Sequence, residues 1–413
     1  MSQSLKRSPP FRAEHMGSLL RPESLQPWNK NHLPKEEQIK AEDEAVKHIV
    51  ETQINCGLHG INDGEFRCVP PLLLYINGTT NMTSRSSFWG SIFESWHGID
   101  TLLQVDPDNC RSFAAGFVRA ATQIKPGMFY AATGQIKHPG YSTFSPEIKY
   151  IQSIVPKEKW GDIKLTIPSP NWCHITWREG HAYPTDIYPN DVVYFKDFAA
   201  AYKQEIEILY KDGLRNIQFD DPNLTFFCSE ATLKEWEEDR TNTQTADELF
   251  QVYINAYNDI LAGRPADLHV GIHLCRGNFK SSTREGGYER IAETLFQKLD
   301  VDTFYLEYDT SRSGGFEPLR KLPANKNVIL GLITTKDAQL ENGDVLKEQV
   351  LKAAEIIAEG NGISKEQALK QIGISPQCGF SSIVEAPHVG FEEMVGKLRL
   401  IRRVADTIWP GDA

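Results

Sequence analysis

The sequence predicts a (β/α)8 TIM barrel with an inserted excursion in its N-terminal third, and three observations lead there. From about residue 120 onward, short apolar runs alternate with longer amphipathic ones, the pattern of repeated βα units. Several of the runs are nearly continuous in apolar residues, as parallel strands buried on both faces are. Almost every run also ends in residues fit for chemistry: Asp220 and Asp221, His273 and Cys275, Glu307 and Asp309, Thr334 to Lys336, then SPQCGF. An open doubly wound sheet would spread such endings along an edge, whereas a closed barrel gathers the strand C-termini at one mouth.

The elements follow in order. KEEQIKAEDEAVKHIVETQINCG reads as the first long helix. Residues 70 to about 125, containing NGTTNMTSRSSFWGSIFESWHGID, fit an excursion better than a βα unit, as a lid or as an arm in a homodimer contact. MFYAATGQI, DIKLTIPSP, NIQFDDP, HVGIHLC, TFYLEYD and NVILGLITT read as strands. Between them lie the helical patterns VVYFKDFAAAYKQEIEILYKDG, whose Gly213 fits a C′ position, TADELFQVYINAYNDILAG, YERIAETLFQKL and DVLKEQVLKAAEIIAEG. Residues 1–10 are expected to fray, leaving 11–413 as one barrel domain. CGLHGINDGEFR lacks the G-x-G-x-x-G turn and no Walker A sequence occurs, so a nucleotide cradle is not expected.

Composition narrows the class. With 413 residues and 40% hydrophobic content the chain can bury a large core. A net charge of −11 without a basic, aromatic-rich stripe speaks against nucleic acid. The start, MSQSLKRSPPFR, resembles no secretory h-region, and no stretch of about 18 apolar residues occurs, so a cytoplasmic protein with no membrane span is expected. Seven cysteines at scattered spacings suggest reduced thiols, not a disulfide framework. The Asn-x-Ser/Thr matches at Asn77, Asn81 and Asn223 read as chance.

His273 and Cys275, two apart on a strand, point to the same side and can share a ligand, though any buried H-x-C pair does the same. Glu307 closes another run, and Cys378 lies in a tight loop marked by Pro376 and Gly379. Singly these are an exposed acid and a loop thiol; together with the H-x-C pair they make an imidazole, a carboxylate and two thiolates, a set suited to zinc. Asp220 and Asp221 are either mouth carboxylates or a helix N-cap after a strand. His15 is a mouth residue or a capping side chain, and Trp172 and Trp177 either stack on a flat donor or pack the rim. Cys56, Cys68, Cys110, Cys173 and Cys228 read as inert thiols.

The ordered pieces HMGSLLRP, DGEFR, IQFDDP, IHLC, DTFYLEYDTSRSG and SPQCGF give the chain a specific likeness over residues 11–409. It resembles the catalytic barrel of the cobalamin-independent methionine synthase family and its single-barrel relatives. The resemblance implies one Zn2+ held by His273, Cys275, Glu307 and Cys378, with Asp309 the fallback for Glu307 if the segment is shifted by two. It implies that Ser18 and Glu65 bind the backbone ends of homocysteine and that Asp220 holds its ammonium group. The implied reaction is methyl transfer to the thiol, giving methionine; the residues themselves offer His15 and Lys336 as candidate catalytic residues and Trp172 on the substrate side.

Two departures from the family stand out. Full-length members have two barrels and this chain has room for the catalytic one, which bears on methyl-folate as the donor. The family carries a histidine after the strand matching VILGLITTKD, where this chain has Lys336, a poor acid at its ordinary pKa of about 10.4. The alternatives are a zinc-dependent thiol transferase or C–S lyase acting on another small thiol, and a zinc-free barrel of the uroporphyrinogen decarboxylase type.

Overall fold

A computed structural model describes residues 10–26, 29, 33–67, 90–102, 105–111, 113–114, 129–276, 285–381 and 389–412. Six parallel strands run in sequence order, each paired with the next: β3 (Lys164–Pro168), β4 (Asn216–Asp220), β5 (His269–Leu274), β6 (Thr303–Glu307), β7 (Asn327–Ile333) and β8 (Ile372–Pro376). Two antiparallel strands, β1 (His97–Leu102) and β2 (Phe129–Lys137), form a separate ribbon.

The six-stranded sheet closes through two single bridges. Ala13 pairs with Ile374 of β8, and Ile61 pairs with Ile163 just before β3, both in parallel. Between them the Leu19 N–H donates to the Gly64 carbonyl at 3.1 Å, and the Asn62 side chain donates to the Gly17 carbonyl at 2.8 Å. The result is a TIM barrel in which the first two strands are reduced to one bridge apiece.

The helices cover its outside: α1 (Lys35–Asn55), α2 (Ser145–Ile154), α3 (Asp191–Lys211), α4 (Glu230–Glu238), α5 (Ala246–Leu261), α6 (Glu289–Lys298), α7 (Gly343–Asn361) and α8 (Phe391–Ile408). Their ends follow local chemistry. After α3, Gly213 at φ +100° donates to the Tyr210 carbonyl and Leu214 to the Leu209 carbonyl, the paired bonds of a Schellman stop. At the start of α5, Thr245 and Glu248 form a reciprocal capping box, worth about 1 kcal/mol. None of these helices is long and apolar enough to cross a membrane, among the described residues.

One expected barrel strand lies elsewhere. MFYAATGQI forms β2, outside the parallel sheet and antiparallel to β1. Its burial explains this: Phe129 to Ala132 are buried, but Thr133, Gly134 and Gln135 are not. A strand covered on one part only suits an antiparallel ribbon better than the interior of a parallel sheet. The expected excursion at 70–125 is described only at residues 90–102, 105–111 and 113–114, and the expected frayed start, with Asn77, Asn81 and Cys68, lies outside the described residues apart from Pro10. Asn223 is buried and its side chain donates to Asn171 at 2.8 Å, an internal role.

Residues two apart on each strand share a face, and in the barrel lumen that face is unusually polar. Lys164 on β3 meets Gln218 on β4 at 3.2 Å, and His269 on β5 meets Thr303 on β6 at 2.8 Å. The outward faces, such as Ile217 and Phe219 or Val270, Ile272 and Leu274, join the main hydrophobic core against the helices.

Candidate metal centre

The parallel register brings the expected ligands to one level of the mouth. Asp220 pairs with His273, and His273 with Tyr305. Cys275 follows β5 directly, Glu307 ends β6, and Cys378 lies two residues past β8. One ligand atom from each of His273, Cys275, Glu307 and Cys378 lies within 4.8 Å of all the others. Asp309 is not in that group. The Cys275 and Cys378 sulfurs are 3.5 Å apart, close to the edge of roughly 3.8 Å that a tetrahedral Zn–S distance near 2.3 Å requires. At the longest edge the set needs about 1 Å of contraction to close on an ion.

Three of the four ligands are held from behind. The His273 Nδ1 lies 3.4 Å from the Tyr305 carbonyl, while the buried Nε2 has no hydrogen-bond partner among the described residues. That division, one ring nitrogen tied to a carbonyl and the other open, is how metal-binding histidines are oriented. Glu307 Oε1 accepts the Arg276 backbone N–H at 2.9 Å, and Oε2 accepts from Arg312 at 3.3 Å. Cys378 is placed by a clamp between loops: Gln377 accepts the Thr335 N–H at 2.7 Å and donates to the Thr335 hydroxyl at 3.1 Å. Gly331 permits this, since a Cβ there would stand 2.8 Å from Gln377 Cα.

The electrostatics call for a cation. Burial disfavours a charged His273, yet the adjacent Cys275 thiol and the charges of Asp220 and Glu307 raise its pKa to about 9. The hydrogen bond to Cys378, burial and nearby Glu307 push the Cys275 thiol well above its usual range. A proton thus settles where a divalent ion would satisfy all four donors, and a coordinating thiol is deprotonated outright.

Ser18, Glu65 and Asp220 lie beside this cluster. Ser18 packs on the Cys378 loop: its carbonyl accepts the Phe380 N–H at 2.9 Å, and a Cβ at Gly379 would collide with its hydroxyl. Glu65 is the one non-glycine residue with positive φ among the described residues, at 61°, a conformation costing about 1–2 kcal/mol. Asp63 accepts its N–H at 2.9 Å and Arg21 donates to its carbonyl at 2.6 Å, which holds the turn. Burial and the charge of Asp220 push the Glu65 carboxyl up to about 8, against a hydrogen bond from Thr166. Asp220 is raised by burial, with His273, Gln218 and Lys164 pulling the other way. Asp221 is the structural member of the pair: its oxygens accept from Asn171, Tyr257, Asn223 and Leu224, and its N–H donates to the His273 carbonyl at 2.8 Å.

The remaining candidates divide. His15 is fully buried with Nε2 3.1 Å from the Gly60 carbonyl, fastening the two single-bridge strands, and burial with Lys164 nearby lowers its pKa to about 3. A ring held neutral in that way is a poor general acid at neutral pH. Lys336 follows β7 with Nζ 3.8 Å from the buried Asp309 carboxylate. Trp172 is half-buried against the core, whereas Trp177 is buried with its indole N–H donating to the Tyr130 carbonyl at 3.2 Å, a packing role. Sequence reasoning missed Lys164 and Glu14, an ion pair of 3.0 Å inside the lumen; a lysine inside the otherwise apolar run IKLTI was the available signal.

The fold and site define a TIM barrel whose mouth carries a thiolate-rich, zinc-type ligand set. The chain belongs to the cobalamin-independent synthase catalytic-domain family, whose model matches residues 183–406. It is 35% identical to the uncharacterized protein YxjG of Bacillus subtilis (strain 168), covering 98% of this chain and 96% of that one. A Listeria monocytogenes crystal structure, provisionally assigned as a vitamin-B12-independent methionine synthase, superposes with a TM-score of 0.67 at 25% identity, covering 98% of this chain and 99% of the other. A B12-independent methionine synthase of Shewanella sp. W3-18-1, solved with selenomethionine, shares the fold at a TM-score of 0.65 and 18% identity over 96% of this chain and 97% of its own.

Proposed function

We propose that the chain is a zinc-dependent transferase that activates a small thiol and moves a methyl or other alkyl group onto its sulfur, with homocysteine to methionine as the default reaction. The observation that carries this reading is the convergence of one imidazole, one carboxylate and two thiols within 4.8 Å at the barrel mouth. When bound, zinc would keep an incoming thiol deprotonated at neutral pH. Two thiolates and a carboxylate would leave the loaded site at a net charge of −1, which favours a reactive sulfur over water activation.

In this reading Ser18 and Glu65 take the backbone ends of the thiol amino acid and Asp220 its ammonium group. The acceptor sulfur forms the new S–C bond as the bond from the alkyl carbon to the donor atom breaks, and that donor atom takes up a proton. In this reading Lys336, whose Nζ lies 3.8 Å from Asp309, delivers it. His15 is assigned no proton transfer. Residues 11–413 are taken as one catalytic domain. Methyl-folate is the default donor, and the lysine in place of the family's histidine favours a donor needing less acid assistance.

The test is formation of methionine from homocysteine by zinc-loaded protein across a panel of methyl donors that includes methyl-tetrahydrofolate. Methionine formed with at least one donor, and lost on chelation, is the expected result. No S-alkylation with any donor, from protein that holds one zinc, would favour the C–S lyase alternative. Protein that takes up no zinc would favour the decarboxylase-type barrel.

A further inference from the structure

The lumen beneath the metal centre holds a polar chain that the reaction described above does not use. Lys164 is 2% exposed, and its ammonium has three acceptors: Glu14 Oε1 at 3.0 Å, the His15 carbonyl at 2.5 Å and Gln218 Oε1 at 3.2 Å. An ammonium has three donors, so this one is saturated and its position set. Glu14 is fixed in turn, with Oε1 accepting the His15 N–H at 3.0 Å and Oε2 the Tyr305 hydroxyl at 3.3 Å.

The consequence falls on Gln218. It is fully buried and lies two residues before Asp220 on β4, on the same face. Its amide donates to Asp220 Oδ1 at 2.7 Å. Glutamine oxygen and nitrogen are assigned from the surrounding hydrogen bonds, and here the surroundings permit one answer. A flipped amide would turn its N–H groups on the Lys164 ammonium and its carbonyl on the Asp220 carboxylate, two repulsive contacts in a buried site. The cation therefore fixes the direction of donation from Lys164 through Gln218 to Asp220. With Oδ1 engaged, the carboxylate is oriented.

We propose that Lys164 and Gln218 are positioning residues for amine recognition: Lys164 sets the Gln218 amide, and the amide presents Asp220 Oδ2 to the ammonium group of an α-amino thiol lying between Asp220 and Glu65. This rests on the amino-thiol reading given above. The relay makes the site select for thiols that carry an amine, beyond any affinity of sulfur for the metal.

The test compares two ligands by calorimetry on zinc-loaded protein: L-homocysteine, and 4-mercaptobutanoate, which has the same thiol and carboxylate but no amine. The unmodified protein is expected to prefer homocysteine by roughly 10- to 100-fold, the range for a charged hydrogen bond. Gln218→Met removes both ends of the amide at similar volume. Gln218→Leu likewise removes both ends of the amide with a branched apolar side chain, and serves if the methionine variant fails to fold. Each is expected to lose about 10-fold in homocysteine affinity while 4-mercaptobutanoate binding and zinc content stay within about twofold. A variant that weakens both ligands equally, or neither, overturns the relay while leaving the amino-thiol reading in place. An unmodified protein with no preference between the ligands overturns that reading, and the relay with it.

Discussion

Replacing Cys378 by serine is the perturbation from which most is learned about the metal centre. Its sulfur is one of four ligand atoms within 4.8 Å and sits 3.5 Å from the Cys275 sulfur. Apparent zinc affinities of about 10–16 kcal/mol at such sites, divided over four donors, put one thiolate at about 3 kcal/mol. The loss is softened slightly, because the neighbour that holds the Cys275 thiol up is removed. The dissociation constant for zinc should therefore weaken by roughly 100-fold. Competition against a chromophoric chelator at neutral pH measures this directly, with Cys56→Ser, a buried thiol at the end of α1, as the control. A Cys378→Ser protein whose zinc affinity stays within threefold of the unmodified one, or a control that shifts as far, would refute the four-ligand assignment.

Two further expectations concern the lumen and the turn at Glu65. Lys164→Met leaves the buried Glu14 carboxylate without its cation and should cost about 3–5 kcal/mol in urea unfolding, partly recovered when Glu14→Gln is added; an unchanged midpoint would show that the pair contributes nothing. For Glu65 the folded pKa of about 8 stands above the unfolded value near 4.3, so the folded state keeps a proton that the unfolded chain has lost. Stability should then fall as pH rises from about 4.3 to about 8, and Glu65→Gln should flatten that fall in urea titrations at several pH values. Parallel pH profiles for the two proteins would count against the shift.

The sheet was legible where its strands are long and apolar, as in β4 to β7, whose runs NIQF, HVGIHL, TFYLE and NVILGLI carry their own signal. Helix ends were legible because Gly213 and the Thr245–Glu248 pair act locally. The first two barrel strands were not, since a single bridge at Ala13 or Ile61 leaves no periodicity to read. β2 was misplaced because an apolar run does not state which partner it pairs with, parallel or antiparallel. Within the site, the H-x-C pair with Glu307 and Cys378 could be named from residue types alone. What Glu65 and Gln218 do depends on a positive φ at one and an amide direction at the other, and both are set by neighbours distant in sequence.

The uneven closure of the barrel divides the mouth into two halves built differently: one on a continuous parallel ladder, the other on single bridges. His273 and Glu307 stand on strands of the continuous ladder, and Cys275 and Cys378 follow its strands by one and two residues, so the ligand set is anchored to the sheet itself. Ser18 and Glu65 lie on segments that join the sheet through one bridge each and are otherwise held by loop and side-chain hydrogen bonds. Substitutions among the first 65 or so residues would therefore reshape the Ser18 and Glu65 side of the mouth while leaving the four-residue ligand set in place.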